Sequence, residues 1–381
     1  MTTEGTPRPD GHAGQGAQAD HAGLAGPPHP PLVPRRIMAL LLVPIIVASV
    51  VVVALVYEGD HTPARSDWAF VMVQLDEANR MGLTGEGVRI GIVDTGIDAS
   101  HPALAGVHIV AWHDLVGGRP DPYDDEGHGT AMASIIAGRP PLLGGVPDVE
   151  LIIVKVVDDQ GTSTDTLIAD GIDFCLDPNG DGDYADGADI VSLSLGGKVE
   201  RIRDVIASKT RDAINEAVLN GVLVVAAAGN DGGPGDDGDV SSPGWIPEVI
   251  CVGAVDRNGN VASFSSMGHN AFVRSDPNKK PEVVAPGVDI TTAYPDDRYA
   301  KGSGTSQATA FTSAALAAAL GANPDWQHDG ARGGDRAAVL TMKGLLMDTS
   351  KKVTGQTTPH DDRAGYGIIQ AVALERAFSA A

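Results

Sequence analysis

Cysteine is nearly absent. Cys175 and Cys251 are the only two in 381 residues, which permits at most one disulfide. A disulfide scaffold and a Cys-based zinc site are both excluded. Basic residues are also scarce, with 27 Lys plus Arg against 50 Asp plus Glu and a formal charge of −23. A field of that sign repels phosphate backbones, so no nucleic-acid partner is expected. Aromatics reach only 4%, while Gly at 48 and Pro at 25 suit a turn-rich chain with close backbone contacts. Hydrophobic residues at 43% are enough for a sizeable core, which excludes wholesale disorder.

Large apolar side chains are almost absent from residues 1–34, a Gly, Pro, Ala and His stretch. It cannot bury enough surface to offset ordering entropy, so 1–36 reads as a disordered tail. Its histidines, His12, His21 and His29, have no ligand spacing. Charge is absent from the next 20 residues, 37–56, which follow Arg35 and Arg36. At helical rise they span about 30 Å, the thickness of a hydrocarbon core. Pro44 is tolerated in such a span. The paired arginines predict a single-pass signal anchor with residues 1–36 cytoplasmic and the rest extracellular. The alternative is a cleaved signal peptide and a secreted product, since Val52-x-Ala54 faintly resembles a cleavage site.

Beyond the span, short apolar runs at 88–93, 151–157, 190–195, 222–227 and 249–255 alternate with helical periods such as 163–176 and 202–220. Continuous β-branched runs separated by helices predict an α/β fold with a mainly parallel sheet covered on both faces. Residues 57–75 are read as a linker and the start of the domain, and 76–381 as its body.

Four motifs stand where a strand or loop meets the next element. They are Val93-Asp94-Thr95-Gly96, Glu126-Gly127-His128-Gly129-Thr130, Ala227-Ala228-Gly229-Asn230 and Gly304-Thr305-Ser306-Gln307-Ala308. Singly, each is an ordinary turn or helix cap. Together, an acid, an imidazole and a hydroxyl are the parts of a nucleophilic acyl-transfer site. Serine needs a base to take its proton, and the base needs a carboxylate to fix its tautomer.

From about Trp68 onward the chain resembles the subtilisin-like serine proteases, or subtilases. The order Asp94, His128, Ser306 is the family's order. Thr84-Gly85-Glu86-Gly87, His101-Pro102-Ala103-Leu104, Ser192-Leu193-Ser194-Leu195-Gly196-Gly197, Phe264-Ser265-Ser266-Met267-Gly268, Lys280-Pro281-Glu282-Val283-Val284-Ala285-Pro286-Gly287 and Gly365-Tyr366-Gly367 agree with it as well. The resemblance implies a three-layer fold and endopeptidase activity on polypeptides by a monomeric catalytic domain. Ser306 is then the nucleophile, His128 the general base and acid, and Asp94 its orienter. Asn230 and the Ser306 amide hold the oxyanion. Ser194, Leu195 and Gly196, with Ala227, Ala228 and Gly229, resemble the two edges that hold the peptide substrate and wall its primary pocket. Gln307 and Ala310 stand where many relatives have Met and Pro, which implies altered packing without loss of activity. Only 57–75 separates the span from the first motifs, so zymogen control by a prodomain is not expected. The rival from another class is a catalytically silent relative that binds peptides at the surface. An acidic adhesion module leaves the motif set unexplained.

Asp177, Asn179, Asp181, Gly182 and Asp183 fit successive ligand and turn positions of an EF-hand-like loop, with Ala188 where the bidentate Glu belongs. Asp186 or Asp189 are substitutes. Some calcium-rich relatives carry an Asp-rich insertion here, so structural calcium is expected, with a solvated acidic turn as the alternative. Asp231 and Asp236 to Asp239 follow Asn230, either as a solvated loop or as the mouth of the pocket. Cys175 and Cys251 are expected as small apolar packing, with a disulfide as the alternative.

Overall fold

Strands without polar alternation need cover on both faces. The structure, a computed structural model, supplies that cover and describes residues 55–57, 64–196, 208–234, 236, 238–268 and 274–381. All belong to one unit, Pro44–Ala381. The chain begins with β1 (Leu55–Tyr57), α1 (Asp67–Met72), α2 (Leu75–Arg80), β2 (Arg89–Asp94) and β3 (His108–Asp114). It continues through α3 (His128–Ala137), β4 (Glu150–Lys155), α4 (Asp165–Leu176), β5 (Ile190–Leu193) and α5 (Lys209–Leu219). Then come β6 (Leu223–Ala227), β7 (Ile250–Val255), β8 (Val283–Pro286), β9 (Ile290–Tyr294) and β10 (Arg298–Gly302). Helices α6 (Thr305–Gly321), α7 (Arg336–Asp348) and α8 (Ala371–Ser379) complete it.

Seven strands form a parallel sheet in the order β3-β4-β2-β5-β6-β7-β8. The chain leaves β2 toward β3, returns through β4 and then crosses to β5 on the other side of β2. The carboxyl ends of β2 and β5 therefore border a switch point, where open α/β sheets leave a crevice. Gly91 on β2 faces α4, where a Cβ would run into Cys175 Sγ. Ser192, lateral neighbour of Ile92, bonds Ser313 of α6 at 3.0 Å. Successive strand residues point to opposite faces, so α4 and α6 lie on opposite sides. Helix α3 packs with α6, and α5 with α4. The α/β expectation holds.

Helix α6 is buried from Thr305 to Leu320 and has no polar face. Its hydroxyls are tolerated because they bond back one turn: Thr309 to Thr305 O at 2.9 Å, Thr312 to Ala308 O at 2.9 Å and Ser313 to Thr309 O at 3.0 Å. Helix α1, inside the stretch read as linker and domain start, joins the core through Phe70, whose ring meets Phe311 edge-on at 4.9 Å.

A second sheet, β1-β10-β9, is antiparallel. Leu55 and Val56, expected as the end of the apolar span, pair here with Lys301 and Ala300. Main-chain pairing has taken the last two residues of the uncharged run. Residues 1–54 lie outside the described residues. No described helix is long and apolar enough to cross a membrane.

One ionic cluster lies inside the core. Lys280, Glu282 and Lys343 are almost wholly buried. Glu282 Oε1 is 2.8 Å from Lys280 Nζ and 2.7 Å from Lys343 Nζ, while Oε2 accepts the Cys251 amide at 2.9 Å. Burial lowers the Lys280 ammonium to about 8 despite the Glu282 carboxylate beside it. Cys175 and Cys251 are both free and buried, as packing residues should be, and the alternative disulfide is not formed.

Candidate active site

Asp94 ends β2, with its carboxylate 2% exposed. Its Oδ1 accepts the Thr95 amide at 2.7 Å and lies 2.8 Å from His128 Nδ1, while Oδ2 lies 3.0 Å from the same nitrogen. Two carboxylate oxygens against Nδ1 fix the proton there, which leaves Nε2 as the basic nitrogen of the neutral ring. The approach depends on glycine. A Cβ on Gly129 would collide with Gly96 O, and Gly96 itself has φ 116° with its Cα against the Tyr123 carbonyl. Thr95 Oγ1 accepts the Gly129 amide at 2.8 Å and so stitches the end of β2 to the first turn of α3.

His128 opens α3, and its side chain is 12% exposed. Burial alone would lower its pKa. Asp94, by charge and hydrogen bond, and Glu126 and Asp124 by charge, outweigh it and raise the imidazole to about 9. Asp124 holds the helix entry: Oδ1 accepts Gly127 N at 2.7 Å, and Oδ2 accepts Thr130 N at 2.9 Å and Thr130 Oγ1 at 2.6 Å.

Ser306 is the second residue of α6, whose first-turn amides have no intrahelical acceptor. Its Oγ donates to the Ser194 carbonyl at 2.9 Å, and Ser194 Oγ donates to Ser306 O at 3.2 Å. The hydroxyl is therefore turned toward the chain leaving β5 and makes no hydrogen bond to His128 Nε2. Asn230 follows β6. Its Oδ1 accepts Thr305 N at 2.8 Å and Thr305 Oγ1 at 3.0 Å. With the carbonyl end engaged, Nδ2 lies beside the start of α6 and donates to none of the described residues.

The two expected substrate edges differ. Leu195 and Gly196 follow β5 with no main-chain partner among the described residues, so they can pair with an extended peptide. Ala228 is committed already: its amide donates to Val252 O at 3.0 Å, and its carbonyl accepts Ser241 N at 2.7 Å. The Gly229 carbonyl accepts Ser266 N at 3.0 Å. Residues 227–229 thus form a wall of small side chains without a free edge. Asp239 is held by Arg274 through bonds of 2.6 and 2.7 Å, which turns it into a loop anchor.

The acidic loop curls on its own amides. Asp177 accepts Gly180 N at 2.8 Å, Asp181 N at 3.1 Å and Gly182 N at 2.9 Å. Asn179 accepts Asp181 N at 2.8 Å, Asp181 accepts Asp183 N at 2.8 Å, and Asp183 accepts Ala185 N at 3.1 Å. No three of these acids bring ligand atoms within 4.8 Å. Among the described residues only Asp189, His328 and Asp329 do so. There His328 Nδ1 lies 2.9 Å from Asp189 Oδ1 and Nε2 lies 2.7 Å from Tyr184 O. Both ring nitrogens face acceptors, so this is a buried imidazolium clasp.

Sequence reasoning missed Lys155. It is fully buried at the end of β4 and donates at 2.7 Å each to Thr95 O, Val157 O and Asp125 Oδ1. It ties the Asp94 strand to the His128 loop. The signal was a lone charge inside the apolar run 151–157.

The subtilase profile of peptidase family S8 matches residues 85–367. Subtilisin Savinase of Lederbergia lenta is 35% identical over 312 residues, covering 81% of this chain and 98% of that protein. Subtilisin DY of Bacillus licheniformis is 34% identical over 256 residues, 66% of this chain and 84% of its own length. Serine protease AprX of Bacillus subtilis (strain 168) is 36% identical over 302 residues, 72% of this chain and 66% of the relative. With a matching profile over most of the chain and relatives of this identity, the chain belongs to the subtilase family of serine proteases.

Proposed function

We propose that this serine endopeptidase cleaves polypeptides with Ser306 as nucleophile, His128 as general base and acid, and Asp94 as orienter. The observation that carries the assignment is the Asp94–His128 couple at the end of β2, with Ser306 at the start of α6 bonded to the chain leaving the adjacent strand β5. A substrate strand pairs with Leu195 and Gly196. Ser306 Oγ leaves the Ser194 carbonyl and attacks the scissile carbon as His128 Nε2 takes its proton. The carbonyl oxygen becomes an oxyanion, met by Asn230 Nδ2, the Ser306 amide and the positive end of α6. His128 returns the proton to the leaving amine, and the C–N bond breaks to give the acyl-enzyme. Water then repeats the sequence and frees Ser306. Ser306→Ala should abolish hydrolysis of unfolded protein while the melting temperature stays near that of the parent. Unchanged hydrolysis would mean another nucleophile; no hydrolysis by the parent itself would favour the peptide-binding rival.

Two finer readings belong with it. The first is calcium held by Asp177, Asn179, Asp181, Asp183 and Asp186. The donor set is all oxygen, as calcium requires, and Asp186 Oδ1 is buried without a hydrogen-bond partner. Calcium would neutralise the loop and brace it. Millimolar calcium should raise the melting temperature relative to chelator, and Asp177→Asn with Asp181→Asn should remove that rise. An identical melting temperature in both would leave a plain acidic turn.

The second is the anchor. Residues 37–54 are 18 uncharged residues after Arg35 and Arg36, about 27 Å as a helix and within the range that spans a bilayer. That supports a membrane-held enzyme with the domain outside. Shaving of intact cells should release it, and a soluble product starting near residue 55 would identify the segment as a signal peptide.

A further inference from the structure

Carboxylates crowd the segment that carries His128. Asp94 meets the ring from β2, Asp124 lies beneath the entry to α3, and Glu126 stands two residues before the imidazole. Glu126 Oε2 accepts the His128 amide at 2.8 Å, which keeps its charge against the base of that side chain. Its own carbonyl accepts Tyr294 Oη at 2.8 Å. Gly127 between them has φ 109°, and a Cβ there would strike the Tyr294 ring. The loop has one place to sit, and Glu126 is fixed with it.

The neighbouring cations are already engaged. Lys155 pairs with Asp125 at 2.7 Å. On the β9–β10 side, Arg298 lies over the Tyr294 ring at 4.9 Å and pairs with Asp296 at 3.1 Å. Glu126 itself has no ion-pair partner among the described residues, and the charge of the His128 ring is what favours its ionised form.

We propose that Glu126 is a positioning residue that sets the proton affinity of His128, keeping the imidazole charged to higher pH than Asp94 alone would and favouring the imidazolium formed as Ser306 attacks. This rests on His128 being the base. Burial raises the Glu126 carboxyl above its ordinary range, the His128 charge opposes that, and Asp94 and Asp124 add to it. Its Oε2 accepts an N–H, as a carboxylate does, and the charge of His128 favours that ionised form. The cost falls on the acidic limb, where a protonated His128 cannot accept from Ser306.

Glu126→Gln tests this, because the amide oxygen can still accept the His128 N–H while the charge is gone. The readout is the pH dependence of Ser306 labelling by a fluorophosphonate, alongside kcat/KM on a peptide. The acidic limb should move down by about one pH unit. On the acidic limb the variant should then label up to about tenfold faster than the parent at the same pH, while its plateau at high pH does not exceed the parent's. Glu126→Ser, shorter and also neutral, should shift the limb in the same direction if the Gln variant folds poorly. A limb that stays at the parent's position in both variants, or rises, overturns the proposal. If His128→Ala labels at the parental rate, the base assignment itself falls and takes this inference with it; an intact His128 dependence with an unmoved limb sinks only the role of Glu126.

Discussion

Asp94→Asn isolates the contact that makes His128 a base. The carboxylate holds Nδ1 at 2.8 and 3.0 Å through its two oxygens. An amide of the same shape can turn an N–H toward Nδ1, which drives the ring proton to Nε2, where Ser306 needs an acceptor. In a triad the expected loss is about 10⁴-fold in kcat, or ~5.5 kcal/mol of transition-state stabilisation. Asp94 is also the main opponent of burial at His128, which it helps raise from 6.5 to about 9. Without it the acidic limb of kcat/KM should fall to about 6.5 or below. Stability should change as well. A folded-state pKa above the unfolded value contributes stability that is complete below pH 6.5 and lost as pH rises through about 9. The gap is on the order of 3 kcal/mol, a few degrees of melting temperature for a domain of this size. The parent-minus-variant difference in melting temperature should therefore shrink between pH 6.5 and 9. Peptide hydrolysis and thermal melts across pH 5.5–10.5 measure both. A variant within tenfold of the parent, with its limb still near pH 9, would refute the reasoning.

Gly129→Ala should move His128 out of reach of Asp94, since its Cβ would collide with Gly96 O; a loss of at least tenfold in kcat/KM, with a lower melting temperature, is expected in the same assays. Glu282→Gln should cost about 3–5 kcal/mol in denaturant unfolding, because two fully buried lysines lose their shared carboxylate, and a change below 1 kcal/mol would show that the cluster is not charged. Lys280, lowered to about 8, is protonated more readily in the unfolded chain. Its contribution to stability should therefore increase as pH rises from about 8 to 10.5, and Lys280→Met should remove that increase in pH-dependent melts.

The parts of the site that the sequence reveals are those that strand ends and helix starts impose. Asp94 closes an apolar run, and His128 and Ser306 open helices behind glycine, so residue type and place agree. The sheet is legible for the same reason, because buried β-branched runs have few alternatives. Pairing across the chain is less visible. Nothing in 37–56 marks Leu55 and Val56 as strand residues, because a β-branched apolar run suits a span or a strand equally, and the partner β10 lies over two hundred residues away. Ala227 to Gly229 read as both substrate edge and pocket wall, and the sequence does not show that the amide and carbonyl of Ala228 are engaged by Val252 and Ser241. Lys155 looks like the polar end of a strand; only the fold brings Thr95 O, Val157 O and Asp125 around its ammonium. The acidic loop shows its alternation in sequence but not where its oxygens point, which depends on amides that Asp177 captures locally.

The central claim is that Ser306, activated by His128, is the nucleophile. Peptide mapping by mass spectrometry after fluorophosphonate treatment of the intact chain tests it most directly. The account predicts one adduct, on Ser306, that forms faster as pH rises toward 9 and is suppressed in His128→Ala. An adduct on any other serine, or labelling of Ser306 that is indifferent to both pH and His128, would contradict it.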